Sequence, residues 1–478
     1  MSNRLSGNNS NGTSHEGTKL LLPIYNNSNI KAKYNLNTNK YNKRYLTKLI
    51  KKKKNVLVYV YLLVVTIWLY TMAYYEVNFV NNTINKCNNN EVKDDENNSN
   101  DNVNLLVFGD VQIMDKHSYP GRLSIVNWLT MKVLDNYHVK NWKATQRIIK
   151  PDYNLFMGDL FDGGRYWGDS YWYKEFDRFQ DIFYQINTGA KNVFNLAGNH
   201  DIGFGETVLK ESFERFNKYF GSTNKRIEIA NTNTVIYIID TIALSDTDSV
   251  EIQGNVLDYL KEIETLHPKL ENEKRILMTH VPLYRDPLVQ TCGSHRESTK
   301  PFPIMKGDQY QTVIEDELSQ LVLNSVKPDL VLSGDDHDYC EIEHTYNGGD
   351  SKVIEITTKS AAMNMGIKKP ELTYLTISPD NKITFKQCAL PDPFKPFYVY
   401  ILLAIISLIW VGYVTFVNKE IDDTSETPSN QKLEKLFIYG DKRKMKHLFD
   451  SKKQKIGLFF YRVGVISLIV FYFYIGYY

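Results

Sequence analysis

The chain of 478 residues has little cysteine, only Cys87, Cys292, Cys340 and Cys388, and no spacing among them resembles a zinc module. It lacks any large excess of one charge. The 57 basic and 55 acidic side chains leave +2, which removes the bulk charge expected of a nucleic-acid binder. It also lacks the composition of a disordered or fibrous protein, since 42% of its residues are hydrophobic and 23% charged. No internal repeat is visible, so a solenoid is excluded as well.

Three stretches lack charge almost entirely. Val56 to Tyr75 is a run of apolar, aromatic and hydroxyl side chains without one Asp, Glu, Lys, Arg or His, and its twenty residues, at ~1.5 Å each, match a hydrocarbon core of roughly 30 Å. Residues 397–417 form a second run and 456–478 a third, the third holding only Arg462 near its start, within snorkelling reach of an interface. The first run begins after 55 residues and has no small-residue cleavage site, so it reads as an anchor rather than a removable leader.

Charge around the spans is segregated. Residues 1–54 carry twelve Lys or Arg against Glu16 alone, and seven more cluster between Lys442 and Lys455. Basic flanks stay in the cytosol. Residues 76–396 are thus expected in a lumen or outside the cell, where disulfides persist. All four cysteines fall there, as do the sequons Asn81-Asn82-Thr83 and Asn97-Asn98-Ser99.

The expected organisation is a disordered cytosolic tail (1–55), a span (56–75), a polar lumenal linker (76–103), a lumenal domain (104–390), a second span (397–417), a basic cytosolic loop (418–455) with a helix over Gln431 to Phe449, and a third span (456–478). Within 104–390 short β-rich runs alternate with helical stretches, which predicts an α/β sheet. The runs Asn104–Phe108, Tyr153–Met157, Val193–Ala197, Val235–Ile239, Ile276–Thr279 and Leu330–Ser333 each end in polar residues. Open α/β sheets bind ligands at that edge.

Five of those strand ends bring Asp110 with Gln112, Asp159, Asn199 with His200, His280, and Asp335 with His337. Taken alone, a Gly-Asp after a strand is a common turn. Taken together, the set gathers oxygen and imidazole donors without a thiolate, and burying several carboxylates side by side is costly unless a cation neutralises them.

In order and spacing the blocks Asp110-Val111-Gln112, Gly158-Asp159, Gly198-Asn199-His200-Asp201, His280 and Gly334-Asp335-Asp336-His337 resemble the calcineurin-like metallophosphoesterases, whose pattern is D-x-H, G-D, G-N-H-D/E, a lone His and G-H-x-H. Gln112 and Asp335 replace two histidines of that pattern, and exchanging nitrogen for oxygen donors favours Mn²⁺ or Mg²⁺ over Zn²⁺. The longer stretches DVQIMD, GDLFDGGR, GNHDIGFG and GDDHDYC, together with THVPLYRDP, TCGSHRES and QYQTVIE, are similar to a membrane-bound branch that remodels GPI anchors after their attachment to protein.

The resemblance implies a four-layer αββα sandwich and two divalent ions, one held by Asp110, Gln112, Asp159 and His337, the other by Asp159, Asn199, His280 and Asp335, with Asp159 bridging. Such a pair, roughly 3.5–4 Å apart, clamps phosphoryl oxygens during in-line attack. His200 is then placed to protonate the leaving alkoxide and Asp201 to orient its ring. Arg165, Arg285 and Arg296 are candidate phosphate contacts or ordinary ion pairs. Tyr166, Trp167, Tyr171, Trp172 and Tyr173 are sugar-stacking or core aromatics. Four cysteines permit three full pairings, and the one that joins Cys292 to Cys340 would brace the pocket, because both adjoin site blocks.

The expected activity is metal-dependent hydrolysis of an ethanolamine-phosphate branch on a mannose of the GPI glycan. GPI-anchored proteins and the membrane are the expected partners, and the endoplasmic reticulum or Golgi the expected location. The rivals are a protein phosphatase of the same fold and a non-catalytic receptor for GPI-anchored cargo.

Overall fold

A computed structural model describes residues 58–89, 101–184, 189–417 and 442–476, with side chains in the last segment from 453 to 474. The expected tail, the sequon at Asn97 and most of the 418–455 loop, including the first part of its expected helix, lie outside the described residues.

Among the described residues three helices are long and apolar enough to cross a membrane, Val58–Asn88, Phe394–Phe416 and Lys453–Tyr474. Between the first two lie thirteen strands among the described residues. The first group is β1 (Val103–Phe108), β2 (Tyr153–Phe156) and β3 (Lys191–Val193). Next come β4 (Lys225–Glu228), β5 (Thr234–Ile238), β6 (Lys274–Met278) and the small hairpin of β7 (Lys306–Gly307) and β8 (Tyr310–Gln311). The chain then adds β9 (Leu330–Ser333), β10 (Cys340–Tyr346), β11 (Ser351–Thr357), β12 (Glu371–Ile377) and β13 (Ile383–Ala389).

They form a five-stranded sheet in the order β13-β12-β1-β2-β3 and a six-stranded sheet in the order β10-β11-β9-β6-β5-β4. The centre of each is parallel, β1 with β2 and β2 with β3 in one sheet, β5 with β6, β6 with β9 and β9 with β11 in the other. Antiparallel strands flank both, and the carboxyl ends of the parallel strands share an edge.

The continuous apolar character of these runs has a physical cause: both faces of each central strand are covered. Leu105, Val107 and Leu155 of one sheet pack with Ile236, Ile276 and Leu332 of the other in a core between the sheets. Their neighbours Leu106, Phe108 and Phe156 point outward to Trp142 of helix Ser124–Ile148 and to Phe179 and Phe183 of helix Asp169–Phe183. Phe108 stacks on Phe156 at 4.9 Å, and Phe183 meets Phe156 edge-on at 5.3 Å. Full burial of each such ring contributes about 1.5–3 kcal/mol. Helices Val250–Leu266 and Asp316–Val326 cover the second sheet through Val256, Leu260, Val322 and Leu323. The architecture is thus the expected αββα sandwich.

Two local expectations differ from the structure. Strand β3 ends at Val193, not Ala197, because its one pairing partner, β2, engages only Lys191 to Val193. The expected polar linker 76–103 is helical in its first part: after a π turn at Tyr74–Asn78 the first spanning helix continues through Phe79–Asn89. Those turns bury Val80, Ile84 and Cys87 in the core of the sandwich, and a disulfide joins Cys87 to Cys388 of β13, 301 residues away. Asn-rich sequence concealed an amphipathic helix whose apolar stripe has a partner only in three dimensions.

Candidate metal centre

The sharp turns that follow the strands place the donors. Asp110, Gln112, Asp159, Asp335 and His337 all adopt positive φ, between 29° and 65°. Side chains other than glycine pay for that region, and clusters of such strain mark functional sites. Two glycines make the turns possible. A Cβ on Gly198 would lie 2.0 Å from Asp159 Oδ1 and 2.3 Å from Asp159 N, and one on Gly158, itself at φ +92°, would lie 2.5 Å from His280 Nδ1.

The result is a tight group. Asp110, Asp159 and His280 are buried, with ligand atoms within 4.8 Å of one another. His280 Nε2 lies 3.2 Å from Asn199 Oδ1, 3.4 Å from Asp159 Oδ1 and 3.6 Å from Asp335 Oδ1. Its Nδ1 faces the Met157 carbonyl at 2.6 Å, which fixes the ring. The backbone of Asp335 donates to Asp110 Oδ1 at 3.1 Å, tying the first and last blocks together.

Both side-chain amides are held by their nitrogens. Gln112 Nε2 donates to Asp162 Oδ1 at 2.9 Å, and Asn199 Nδ2 to the Gln309 carbonyl at 3.1 Å. Gln112 Oε1 and Asp110 Oδ2 remain buried without a hydrogen-bond partner among the described residues, an expensive arrangement unless a cation takes them. The donor set, rich in oxygen and free of sulfur, fits a hard divalent ion.

Charge in the group is unevenly spread. Burial, reinforced by Asp159 and Asp335, pushes the Asp110 carboxyl well above its ordinary range despite His280. Burial acts the same way on Asp159, but His280, His200 and His337 outweigh it and lower the net value. Burial alone would depress His280, yet Asp159, Asp335 and Asp110 hold its basicity well above normal. Desolvation lowers that of His337, which feels Asp335 and Asp159.

His200 stands at the edge of this group, its backbone N–H donating to Asp159 Oδ1 at 2.9 Å. Its ring Nδ1 lies 2.6 Å from the Asp162 carbonyl oxygen. Asp201, expected to orient that ring, does something else. Its carboxylate accepts from the backbone N–H groups of Gly198, Leu160 and Phe161 at 2.9, 3.1 and 3.0 Å. It thereby clamps the Gly158-Asp159 turn to the Asn199 turn, and burial followed by Asp159 raises its carboxyl to about 7. The aspartate that sequence reasoning missed is Asp162, which lies inside the quoted GDLFDGGR block and holds both Gln112 and His200.

Of the three candidate phosphate contacts, two are structural. Arg285 is buried against Glu355 at 2.8 Å, and Arg296 pairs with Asp336. Asp338 accepts from the backbone N–H groups of Glu297 and Ser298 at 3.1 and 2.9 Å. Cys292 and Cys340 are joined, so this corner is braced covalently as well. Arg165 donates to the Asn199 carbonyl at 2.9 Å. With Lys116, His117, Tyr166, Tyr171 and His200 it lines a pocket of about 600 Å³ beside the metal group. Trp172 is core, stacked on Phe176.

A family model described as calcineurin-like phosphoesterase matches residues 103–339. Cell division control protein 1 of Saccharomyces cerevisiae is 41% identical over 383 residues, 76% of this chain and 76% of its own length. Metallophosphoesterase 1 homolog of Caenorhabditis elegans is 27% identical over 54% of this chain and 68% of its own, and Metallophosphoesterase 1 of Xenopus laevis 26% identical over 58% and 70%. The matched region opens at β1, just ahead of the turn that holds Asp110, and closes just past His337, so it holds every candidate ligand described above. With a likeness of this extent across the sandwich and its metal group, the chain belongs to the calcineurin-like metallophosphoesterases and is a membrane protein that hydrolyses phosphoric esters.

Proposed function

We propose that this chain removes an ethanolamine-phosphate side branch from a mannose of the GPI-anchor glycan, working from the lumenal face of the endoplasmic reticulum or Golgi membrane. The observation that carries the reading is the pocket beside the metal group, where Lys116 and Arg165 lie over the rings of Tyr171 and Tyr166, 4.4 and 4.8 Å from the ring centres. Cations suit a phosphodiester and aromatic faces suit sugar rings. The spanning helices favour a substrate tethered to the same bilayer, because tethering raises effective concentration.

Asp110, Gln112, Asp159 and His337 would hold one divalent ion, and Asp159, Asn199, His280 and Asp335 a second, with Mn²⁺ favoured by the oxygen-rich set. When bound, the ions supply charge neutralisation on the phosphoryl oxygens and an activated water. The chain does the rest. Asp201 fixes the separation of the Asp159 and Asn199 turns through three backbone hydrogen bonds. His200 directs Nδ1 to the Asp162 carbonyl, which leaves Nε2 for the pocket the ring lines. From there it gives a proton to the mannose oxygen as the phosphorus–oxygen bond breaks, so that water and the diester become ethanolamine phosphate and a free hydroxyl.

The test is mass spectrometry of the glycan on a purified GPI-anchored protein after incubation with the solubilised full chain and Mn²⁺, against EDTA and Asp159→Asn controls. Loss of one ethanolamine-phosphate mass with intact protein and metal alone supports the assignment. An unchanged glycan beside turnover of a generic phosphodiester refutes the substrate while leaving the hydrolase.

A further inference from the structure

A second cavity, of about 500 Å³, lies away from the metal group and is walled by all three spanning helices and by helix Ser124–Ile148. Its size is ordinary for a small-molecule site, roughly 300–1,000 Å³. Its walls are mostly apolar, with the hydroxyls of Ser407 and Ser467 among them, and at one end buried Glu76 of the first span accepts hydrogen bonds from Lys140 Nζ at 2.8 Å and Tyr400 Oη at 2.7 Å. Room comes from small residues of the second span, Ala404 and Ser407.

The fourth wall links this cavity to the bilayer surface and to the catalytic pocket. The first turns of helix Ser124–Ile148 carry Ile125, Val126, Trp128 and Leu129, 59%, 43%, 41% and 41% exposed, and Leu123 just before them is 73% exposed. The Trp128 ring lies 6.4 Å from that of Phe471 on the third span. An exposed apolar face leaning on a spanning helix belongs in the membrane interface. The residues just before it, Asp115 to Ser118, line the catalytic pocket. Met363 of the cavity wall follows Ser360 and Ala361, which bond to the Asp110 and Gly109 carbonyls at 2.8 and 2.7 Å. One chain segment, Asp115 into helix Ser124–Ile148, thus borders both spaces, and a second runs from the cavity wall to the turn that carries Asp110.

We infer that this cavity receives an acyl chain of the lipid that anchors the substrate, so that the protein recognises the tail of its glycolipid as well as the phosphoester. The inference rests on the glycolipid reading above. The chain leaves a bilayer as apolar as the cavity, so selectivity comes from packing and the expected preference is roughly tenfold.

Two measurements on the full chain in detergent micelles test it. A phosphatidylinositol with a photoreactive diazirine in one acyl chain reports binding without turnover, and crosslinks are expected on peptides holding Ala404 and Phe471. They should be lost in Ala404→Phe and kept in Ile409→Phe, whose residue is 68% exposed on the same helix. Separately, kcat/KM is compared for the glycolipid and for the same glycan stripped of lipid; the preference should vanish in Ala404→Phe alone. Crosslinks confined to outward faces, or a preference untouched by Ala404→Phe, overturn the inference. Crosslinks in the cavity without any preference assign it to a resident bilayer lipid and overturn it too. If neither form of the glycan is cut, the substrate reading falls by itself and the crosslink decides whether the cavity takes an acyl chain.

Discussion

His200 Nδ1 sits 2.6 Å from the carbonyl oxygen of Asp162, while the Asp162 carboxylate holds Gln112 Nε2 at 2.9 Å. One residue therefore aims both a candidate proton donor and a candidate metal ligand. His200→Gln is expected to lower kcat by about 10²–10⁴, the usual range for a general acid, with metal content by elemental analysis unchanged. Asp162→Ala keeps the backbone carbonyl but releases the Gln112 amide. It should weaken metal affinity by about 10–100-fold, read as the Mn²⁺ concentration that restores half activity after EDTA treatment. Equal metal affinity in the two variants would contradict this division of labour.

Gly198 tolerates no side chain, since a Cβ there would meet the Asp159 backbone nitrogen at 2.3 Å. The obstructing atom is backbone, so relief requires the Asp159 turn itself to move. Gly198→Ala should abolish metal retention and cost about 1–3 kcal/mol of stability, whereas Gly254→Ala, on an open helix face, should do neither. Metal content and thermal unfolding of both variants decide the point.

His138, buried in helix Ser124–Ile148, is depressed to about 4, mainly by desolvation. The unfolded chain takes up a proton near 6.5, so between pH 6.5 and 4 it binds more protons than the folded one, and this residue's contribution falls as pH drops through that window. The loss is on the order of 3 kcal/mol by pH 4. Unfolding measured at pH 7 and pH 4.5 should show a smaller acid loss in His138→Gln than in the native sequence; parallel losses would count against it.

The Cys87–Cys388 bond ties the last turn of the first spanning helix to β13. Cys388→Ser should cost about 2–5 kcal/mol and loosen the helical turns at Val80 and Ile84, seen as faster amide exchange there. Exchange unaltered at those turns would mean that their burial alone suffices to hold them.

Much of the site was legible in order: Asp110, Asp159, Asn199, His280 and Asp335 are each the polar end of an apolar run, and parallel strands place such ends on one edge. Asp201 was misassigned because adjacency to His200 in sequence says nothing about where two consecutive side chains point at the start of a helical turn. Arg285 and Arg296 resembled phosphate contacts because their partners, Glu355 and Asp336, lie 70 and 40 positions downstream.

The sequence alone determined the spans, the sandwich and the chemistry of the donor set, because hydrophobic run length, periodicity and ligand type are properties of local residues. Tertiary structure decided what depends on distant neighbours. It placed the helix over Phe79–Asn89 against the catalytic domain, paired the cysteines, and turned Asp201 into a clamp and Asp162 into the residue that aims His200. It also closed a cavity whose walls come from helices more than 300 residues apart, because a burial partner exists only once the chain has folded back on itself.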